Sequence, residues 1–262
     1  MKRLLSALSL LCLTACGMPS AATVAVAQRS ALWRPAVGTA WQWQLSTPVD
    51  LSVNVPVYDI DMFENSAGVV AKLHRLGRHV ICYVDVGSAE NYRPDYRSFP
   101  RTVLGRPNGW PGERWLDIRQ RSVLEPIIAK RFDLCRKKGF DAVEPDLVDG
   151  YAANTGFKIR AADQLRYNVM IAKLAHDRGL SVALKNDGGQ ATELVKYFDF
   201  ELDEQCAEYN ECRLFLPFIK AGKAVLHVEY NLKLSQFCPQ TKALHFSSMR
   251  KEVNLGPWRQ PC

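Results

Sequence analysis

The stretch LEPIIAKRFDLCRKKGFDAVEPD (124–146) runs from one secondary-structure element into the next. Apolar residues recur at helical spacing from Leu124 to Phe132. Gly139 then ends the helical pattern, because glycine adopts the left-handed backbone of a helix terminus without steric cost. The following run, Phe140–Asp146, is short, apolar and closes on acidic residues. The stretch therefore predicts a helix followed by a buried parallel strand.

The same order of helix, glycine and strand recurs around Gly77 and Gly179. Repeated β/α units of this kind predict a (β/α)8 TIM barrel of the α/β class. A doubly wound open sheet would show the same alternation, but no glycine-rich nucleotide or phosphate loop follows the first strand. The predicted strands are Val55–Asp61, His79–Gly87, Arg114–Ile118, Phe140–Asp146, Leu180–Asp187, Phe198–Glu204, Ala224–Tyr230 and Ala243–Ser248.

The amino terminus indicates export. MKRLLSALSLLCLTA (1–15) has two basic residues before an apolar run that is too short to span a bilayer. Leu-Thr-Ala-Cys (13–16) resembles the lipobox of bacterial lipoproteins, in which the signal is cut before a cysteine that receives the lipid. We therefore expect a lipid on Cys16 that anchors the protein to a membrane. The alternative is an ordinary secretory signal, cut after a small residue such as Ala22.

The rest of the chain is predicted to form a tether and one domain. Residues 16–30 are mostly small and aperiodic, as expected of a tether, and residues 31–262 contain no internal linker or repeat. The formal charge of +7 is spread over single Lys and Arg residues, so no nucleic-acid partner is expected. We predict a monomer of one domain in the cell envelope or outside the cell.

Six cysteines remain in the predicted domain, and an even number in an exported chain predicts disulfides. Proximity along the chain pairs Cys206 with Cys212 and Cys238 with Cys262. Cys82 is then left for Cys135, with two buried free thiols as the alternative. No cysteine or histidine spacing is typical of zinc, and no metal or cofactor is expected.

Acidic residues gather where the predicted strands end. In a parallel barrel these ends open onto one face, so the carboxylates should surround a common mouth, although some could cap helices or pair with basic residues. The residues are Asp59, Asp61, Asp85, Asp117, Glu144, Asp146, Asp149, Asp187, Asp203, Glu204 and Glu229. Polar and aromatic residues interleave with them, namely Tyr58, Tyr83, Trp115, Tyr151, Lys185, Asn186 and Tyr230.

This composition of the mouth suits carbohydrate chemistry. Two carboxylates can hydrolyse a glycosidic bond without a cofactor, because one protonates the leaving oxygen and the other attacks the sugar or activates water. Aromatic rings can stack on sugars, and carboxylates can bind their hydroxyl or amino groups. Core packing is the alternative for each aromatic residue.

Several longer motifs resemble one family in order along nearly the whole predicted domain. They are WQWQL (41–45), YDIDMFE (58–64), ICYVDVGSAENYRPD (81–95), WPGERWLDIR (110–119), KGFDAVEPDLVDGY (138–151), GLSVALKND (179–187), FDFELDEQC (198–206) and AGKAVLHVEY (221–230). Together they resemble the endo-α-1,4-polygalactosaminidases of glycoside hydrolase family 114. The resemblance implies a TIM barrel that cleaves galactosamine-rich α-1,4-linked polysaccharides. It also implies that Asp146 and Glu204 are the catalytic acid pair.

We expect Asp146 to act as the nucleophile and Glu204 as the general acid/base, with the reverse assignment still open. The residues expected to bind substrate are Tyr58, Asp59, Asp61, Asp85, Glu144, Asp149, Lys185, Asn186, Glu229 and Tyr230. Leu147 departs from the family pattern, in which Asn is expected. Two other functions remain as alternatives: a lipid-anchored polysaccharide-binding protein without turnover, and a hydrolase that uses Mg²⁺ or Ca²⁺ in the acidic mouth.

Overall fold

Eight parallel strands form one sheet in the computed structural model, which describes residues 32–262. Their spatial order follows their order in the chain, with helices between them, so the predicted (β/α)8 barrel class is confirmed. The parallel strands are β1 (Trp41–Gln44), β2 (Val57–Asp61), β3 (His79–Asp85), β7 (Ala142–Asp146), β8 (Ser181–Lys185), β9 (Phe200–Glu204), β10 (Val225–Glu229) and β11 (Ser247–Arg250). A short strand, β12 (Gln260–Pro261), pairs antiparallel with β11.

A helix separates each pair of consecutive parallel strands from β2 onwards. Gly77, Gly139 and Gly179 all have positive φ values just after a helix, which confirms that these glycines end helices as predicted. The helices are α1 (Ala67–Arg75), α2 (Arg121–Lys138), α3 (Ala161–His176), α4 (Ala191–Leu194), α5 (Leu216–Lys220) and α6 (Leu234–Ala243).

Side chains from all eight parallel strands meet in one buried apolar cluster, which fills the barrel interior. The cluster includes Trp41, Trp43, Val57, Ile81, Ala142, Ala183, Phe200, Leu202, Leu226, Val228 and Met249. A second cluster lies between the strands and the helices and contains residues such as Val70, Phe132 and Ile171. Trp41 Nε1 donates to the Ser247 carbonyl oxygen at 2.8 Å, so the first and last parallel strands are neighbours.

Two of the predicted strands need correction. The segment predicted as Arg114–Ile118 is β6 (Glu113–Leu116), and it pairs antiparallel with β4 (Ser88–Glu90) and β5 (Leu104–Pro107) in a separate sheet. Its place in the barrel is filled by Trp41–Gln44. All four residues of that strand are buried, as expected of a barrel strand, whereas β6 is partly exposed. The last strand begins at Ser247, since Ala243 still belongs to α6.

The three predicted disulfides are confirmed. Cys82 on β3 joins Cys135 on α2, Cys206 joins Cys212 in the loop after β9, and Cys238 on α6 joins Cys262. Disulfides of this number are typical of proteins that fold outside the cytoplasm.

The predicted signal segment, the tether and the lipidation site Cys16 lie outside the described residues. Within residues 32–262, no helix has both the length and the apolar character needed to cross a membrane.

Candidate active site

A cleft of about 720 Å³ opens at the carboxyl ends of the parallel strands. Its charged lining residues come from strand ends and the segments that follow them. They are Asp61, Glu64, Glu90, Arg93, Glu113, Asp146, Asp149, Lys185, Asp203, Glu204 and Glu211. Carboxylates outnumber cations among them, so the cleft is acidic although the chain carries a net positive formal charge. The common acidic mouth predicted from the strand ends is thus present.

Three adjacent strands end on residues that contact one another. Asp146, Lys185 and Glu204 are the last residues of β7, β8 and β9. The side chain of Lys185 is 1 % exposed, and its Nζ lies 2.9 Å from Asp146 Oδ1 and 2.9 Å from Glu204 Oε2. A third carboxylate oxygen, Glu144 Oε1, lies 3.1 Å from the same nitrogen.

Asp146 is held in its charged form. The Tyr83 hydroxyl donates to Asp146 Oδ2 at 2.8 Å, and the Leu147 backbone N–H donates to Oδ1 at 2.8 Å. Burial works to raise the pKa of Asp146, but the Lys185 ammonium and these hydrogen bonds outweigh it, so the pKa is lowered. A carboxylate in this state suits a nucleophile.

Glu204 has a matching set of contacts. The Tyr230 hydroxyl donates to Glu204 Oε1, while Lys185 holds Oε2. The Glu204 backbone N–H donates to Asn186 Oδ1 at 2.9 Å, which fixes the end of β9 against the loop after β8. Each member of the proposed acid pair therefore contacts one tyrosine and the shared lysine.

The two carboxylates are close enough to act on one glycosidic bond. Since Asp146 Oδ1 and Glu204 Oε2 each lie 2.9 Å from Lys185 Nζ, these two oxygens are at most about 5.8 Å apart. Retaining glycosidases have carboxyl groups roughly 5–5.5 Å apart, and inverting enzymes need roughly 6.5–9.5 Å to admit a water molecule. The bound on the separation favours the retaining arrangement.

A pair of buried carboxyl groups lies behind Lys185. Asp59 and Glu144 have side chains inaccessible to solvent, and burial together with the charge of Glu144 raises the pKa of Asp59. No hydrogen-bond donor among the described residues reaches the Asp59 oxygens, which favours a protonated carboxyl group at this position. Burial raises the pKa of Glu144 to about 7 against the effect of Lys185, and it also raises that of Asp59.

The structure divides the predicted substrate-binding residues into two groups. Those that line the cleft are Asp61, Asp149, Lys185, Asn186 and Tyr230, together with Tyr83. Asp61 forms an ion pair with Arg93, whose Nε lies 2.7 Å from Glu90 Oε1. Asp149 lies beside the acid pair, and burial together with the Asp146 charge raises its pKa to about 6.

The other predicted residues do not line the cleft. Tyr58 and Glu229 lie on the outer face of their strands: the Tyr58 hydroxyl donates to the Val53 carbonyl oxygen, and Glu229 Oε1 accepts the Ala207 N–H. Asp85 accepts the backbone N–H groups of Gly87 and Ser88 and so fixes a turn. Asp59 and Glu144 lie deeper in the barrel than the cleft surface. Of the remaining aromatic residues, Trp115 is buried and Tyr151 donates to Asp187.

The sequence analysis missed three exposed aromatic residues of the cleft wall. Tyr92 and Trp110 are each 56 % exposed and belong to the segment around the β4–β6 sheet, while Tyr209 is 61 % exposed and lies in the loop after β9. The signal available in the sequence was the placement of these residues in long polar segments between strands, where no core exists to bury them. Such rings are available to stack on sugars.

Among the described residues, one group has the proximity needed for a metal ion: Cys206, Cys212 and His227. The two cysteines form a disulfide, so their sulfur atoms are not thiolate ligands.

Comparison with known proteins gives a consistent result. The family model of glycoside-hydrolase family GH114 matches residues 22–262. A comparison with curated proteins finds no match.

Among solved structures, the crystal structure of Aspergillus fumigatus Ega3 in complex with galactosamine is 39% identical in sequence, with a TM-score of 0.84. The aligned region covers 89% of this chain and 98% of the Ega3 chain. The glycoside hydrolase domain of PelA from Pseudomonas aeruginosa is 12% identical with a TM-score of 0.64, and covers 84% of this chain and 96% of that chain. The latter likeness shows a shared fold.

Proposed function

The chain belongs to glycoside-hydrolase family GH114 and is a glycoside hydrolase, and from this premise we propose that it cleaves α-1,4-linked galactosamine-rich polysaccharide internally. Membership confirms the resemblance drawn from the sequence motifs. It also favours an enzyme over a polysaccharide-binding protein without turnover.

One observation carries the proposed mechanism: Asp146 and Glu204 face the same cleft with carboxylate oxygens at most about 5.8 Å apart. Asp146, with its lowered pKa, attacks the anomeric carbon, and Glu204 gives a proton to the leaving oxygen. Water then releases the sugar from Asp146 with Glu204 as the base. This assignment predicts that the product keeps the anomeric configuration of the substrate.

The charge and shape of the cleft support the substrate. Galactosamine with a free amine is cationic and is attracted to a cleft in which carboxylates predominate. The Ega3 relative is described in complex with galactosamine, which is a unit of such a polymer. Exposed aromatic side chains lie in the segments that follow β3 and β9, which are the third and sixth parallel strands of the barrel. Sugars can therefore bind on both sides of the acid pair. Binding on both sides is what endo-cleavage needs.

The test is hydrolysis of a purified α-1,4-galactosamine polymer by the mature domain, followed as the release of new reducing ends. Asp146→Asn and Glu204→Gln should each lower kcat by about 1,000-fold or more, because each change removes one of the two required groups while preserving side-chain volume. Activity that survives in either variant would refute the assignment, and failure of wild type to cut this polymer while it cuts a related one would refute the substrate.

Two controls separate the alternatives. Glu125→Gln neutralises a carboxylate on α2, outside the cleft, and should leave turnover unchanged. Loss of wild-type activity in a chelator, with recovery on addition of Mg²⁺ or Ca²⁺, would favour the metal-dependent hydrolase over the two-carboxylate mechanism.

We further propose that Cys16 carries a lipid and holds the domain at a membrane, because a lipobox-like sequence precedes it. Metabolic labelling with a fatty acid should mark the wild-type chain and not Cys16→Ser. Equal labelling of both chains would show that the lipid is attached at another residue, and no labelling of the wild type would favour the secreted form.

A further inference from the structure

Lys185 was expected to bind substrate, but its contacts indicate a different role. Lys185 Nζ lies within 3.1 Å of one carboxylate oxygen each of Glu144, Asp146 and Glu204, and it donates a hydrogen bond to Asp146 Oδ1. The ammonium is therefore surrounded by carboxylates, and it would repel the amine of galactosamine.

We propose that Lys185 is a positioning residue whose fixed ammonium stabilises the negative charge of the reaction first on Asp146 and then on Glu204. The inference rests on the proposed function, because it takes Asp146 as the nucleophile and Glu204 as the acid. The proposed role explains why Lys185 Nζ lies at the same distance from Asp146 and from Glu204.

The charge must move between these two groups. In the first step an Asp146 oxygen forms a bond to the anomeric carbon, the glycosidic C–O bond breaks, and its electron pair goes to the leaving oxygen, which takes the proton of Glu204. Asp146 is then a neutral ester and Glu204 is an anion. In the second step Glu204 takes a proton from water, the water oxygen bonds to the anomeric carbon, and the electron pair of the ester bond returns to Asp146.

The geometry lets one cation stabilise both stages. Lys185 Nζ is 2.9 Å from Asp146 Oδ1 and 2.9 Å from Glu204 Oε2, so neither stage requires it to move. Charged groups that are already in place before charge develops stabilise it without the cost of reorganisation.

The surroundings keep the lysine in this position. Its side chain is 1 % exposed, and Nζ lies 4.9 Å from the centroid of the Trp43 ring. Glu144, whose side chain is inaccessible to solvent, contacts the ammonium from inside the barrel. The titratable groups around Lys185 are Asp59 on β2, Tyr83 on β3, Glu144 and Asp146 on β7, Asp149 after β7, Glu201, Asp203 and Glu204 on β9, and Tyr230 just after β10.

The experiment compares Lys185→Met with wild type on an α-1,4-linked galactosamine oligomer of defined length. We expect kcat to fall by about 100-fold or more with KM within about threefold, because Lys185 acts on the reacting carboxylates and not on bound sugar. The acidic limb of the pH profile of kcat/KM should move to higher pH, since loss of the cation makes Asp146 easier to protonate. A structural role alone would not shift this limb.

The matched control is Lys223→Met. Lys223 is partly buried, and its ammonium donates to the carbonyl oxygens of Val195 and Phe198 instead of to carboxylates. This variant should lose some thermal stability and keep the kcat and pH profile of wild type. A Lys185→Met enzyme that behaves in the same way would overturn the inference while wild-type cleavage still upholds the proposed function. An inactive wild type would overturn both.

A second measurement does not depend on the variant being folded. Wild-type protein treated with a 5-fluoro-α-galactosaminyl fluoride should accumulate a glycosyl ester on Asp146, whose crystal structure can be determined. We expect Lys185 Nζ at about 3 Å from a Glu204 oxygen in that intermediate. A lysine that has turned away from Glu204, or that instead contacts the bound sugar, would overturn the inference.

Discussion

At the scale of single residues, unusual backbone follows each of the three central charged residues. Leu147, Asn186 and Gln205 come directly after Asp146, Lys185 and Glu204, and their φ values are 58°, 57° and 66°. Non-glycine residues in this left-handed region cost energy and concentrate at functional sites. Asn tolerates this region better than Leu does, which gives a backbone reason for the Asn expected at position 147 from the family pattern. The turns direct the chain away from the strand ends and leave the charged side chains facing the cleft.

Gly87 is the residue that accommodates the first of these turns. A Cβ atom at this position would lie 1.7 Å from the Leu147 carbonyl oxygen. Gly87→Ala should therefore displace Leu147 and with it Asp146, with a loss of about 2 kcal/mol or more in the free energy of unfolding and a lower kcat. Denaturant unfolding and steady-state kinetics measure the two effects.

The control for this prediction is Gly68→Ala in α1, where the added Cβ would meet Ser66 Oγ at 3.4 Å, an ordinary contact. Alanine in a helix should raise stability by about 0.5–1 kcal/mol. Similar behaviour of both variants would show that the close approach at Gly87 does not position Asp146.

At the scale of elements, the β4–β6 sheet is an insertion between β3 and α2 that forms one wall of the cleft. The exposed Trp110 lies in the loop between β5 and β6, and the Tyr92 hydroxyl donates to Glu113 at 2.9 Å. The insertion thus places an aromatic ring beside carboxylates, a combination that suits an amino sugar. This wall belongs to the barrel's loops and not to its strands, which is the usual place for residues that determine specificity.

Trp110→Ala should weaken the binding of long substrates. We expect KM for a long galactosamine oligomer to rise by about 5- to 30-fold, the equivalent of about 1–2 kcal/mol for one ring against a cationic sugar, with kcat little changed. Trp258→Ala is the control, because Trp258 is 39 % exposed but does not line the cleft. A KM that is unchanged by Trp110→Ala would exclude a sugar site at this wall.

The Cys82–Cys135 disulfide joins β3 to α2 across that insertion. It closes a loop with a sequence separation of 53, compared with 24 for Cys238–Cys262 and 6 for Cys206–Cys212. Loop-closure entropy predicts that the Cys82→Ala/Cys135→Ala variant loses about 4 kcal/mol in the free energy of unfolding, and that each of the other two pairs loses less. Denaturant midpoints of the three double variants, measured under non-reducing conditions, test the order. If removal of the Cys206–Cys212 pair proved the most costly, local packing around that bond and not loop closure would determine the ranking.

At the scale of the whole molecule, the barrel buries many carboxyl groups whose pKa values are raised. Burial raises those of Glu144 and Asp187 to about 7 and that of Asp149 to about 6. In the unfolded chain such groups titrate near pH 4, so between about pH 4 and 7 the folded state binds more protons than the unfolded state. The stability that these groups contribute is full below about pH 4 and is lost as the pH rises to about 7. His227 opposes this trend, because burial lowers its pKa.

We therefore expect the free energy of unfolding to fall as the pH is raised from about 5 to about 7.5. The fully buried Glu144 alone should account for a change on the order of 3 kcal/mol. Chemical unfolding at several pH values measures the slope, and Glu144→Gln should make it shallower because glutamine does not ionise. A wild-type stability that rises over this pH range would contradict the prediction that the raised pKa values of the buried carboxyl groups dominate the pH dependence.

Sequence alone determined those features that depend on neighbours along the chain. Local periodicity and backbone preference predict the helix ends at Gly139 and Gly179 and the strands that follow them. They also place Asp146, Lys185 and Glu204 at strand ends. The disulfide pairs also followed, because proximity along the chain left one combination for the remaining cysteines.

Tertiary structure decided which residues meet. Barrel strands are buried on both faces, so alternation along β2 could not tell that Asp59 faces inward and Tyr58 outward. Trp41–Gln44 became a barrel strand, and the segment containing Trp115 did not, because strand pairing joins residues far apart in the chain. The same long-range pairing aligned β7, β8 and β9 so that Lys185 lies between Asp146 and Glu204. Local preferences act over a few residues, whereas register and facing direction depend on packing across the whole barrel.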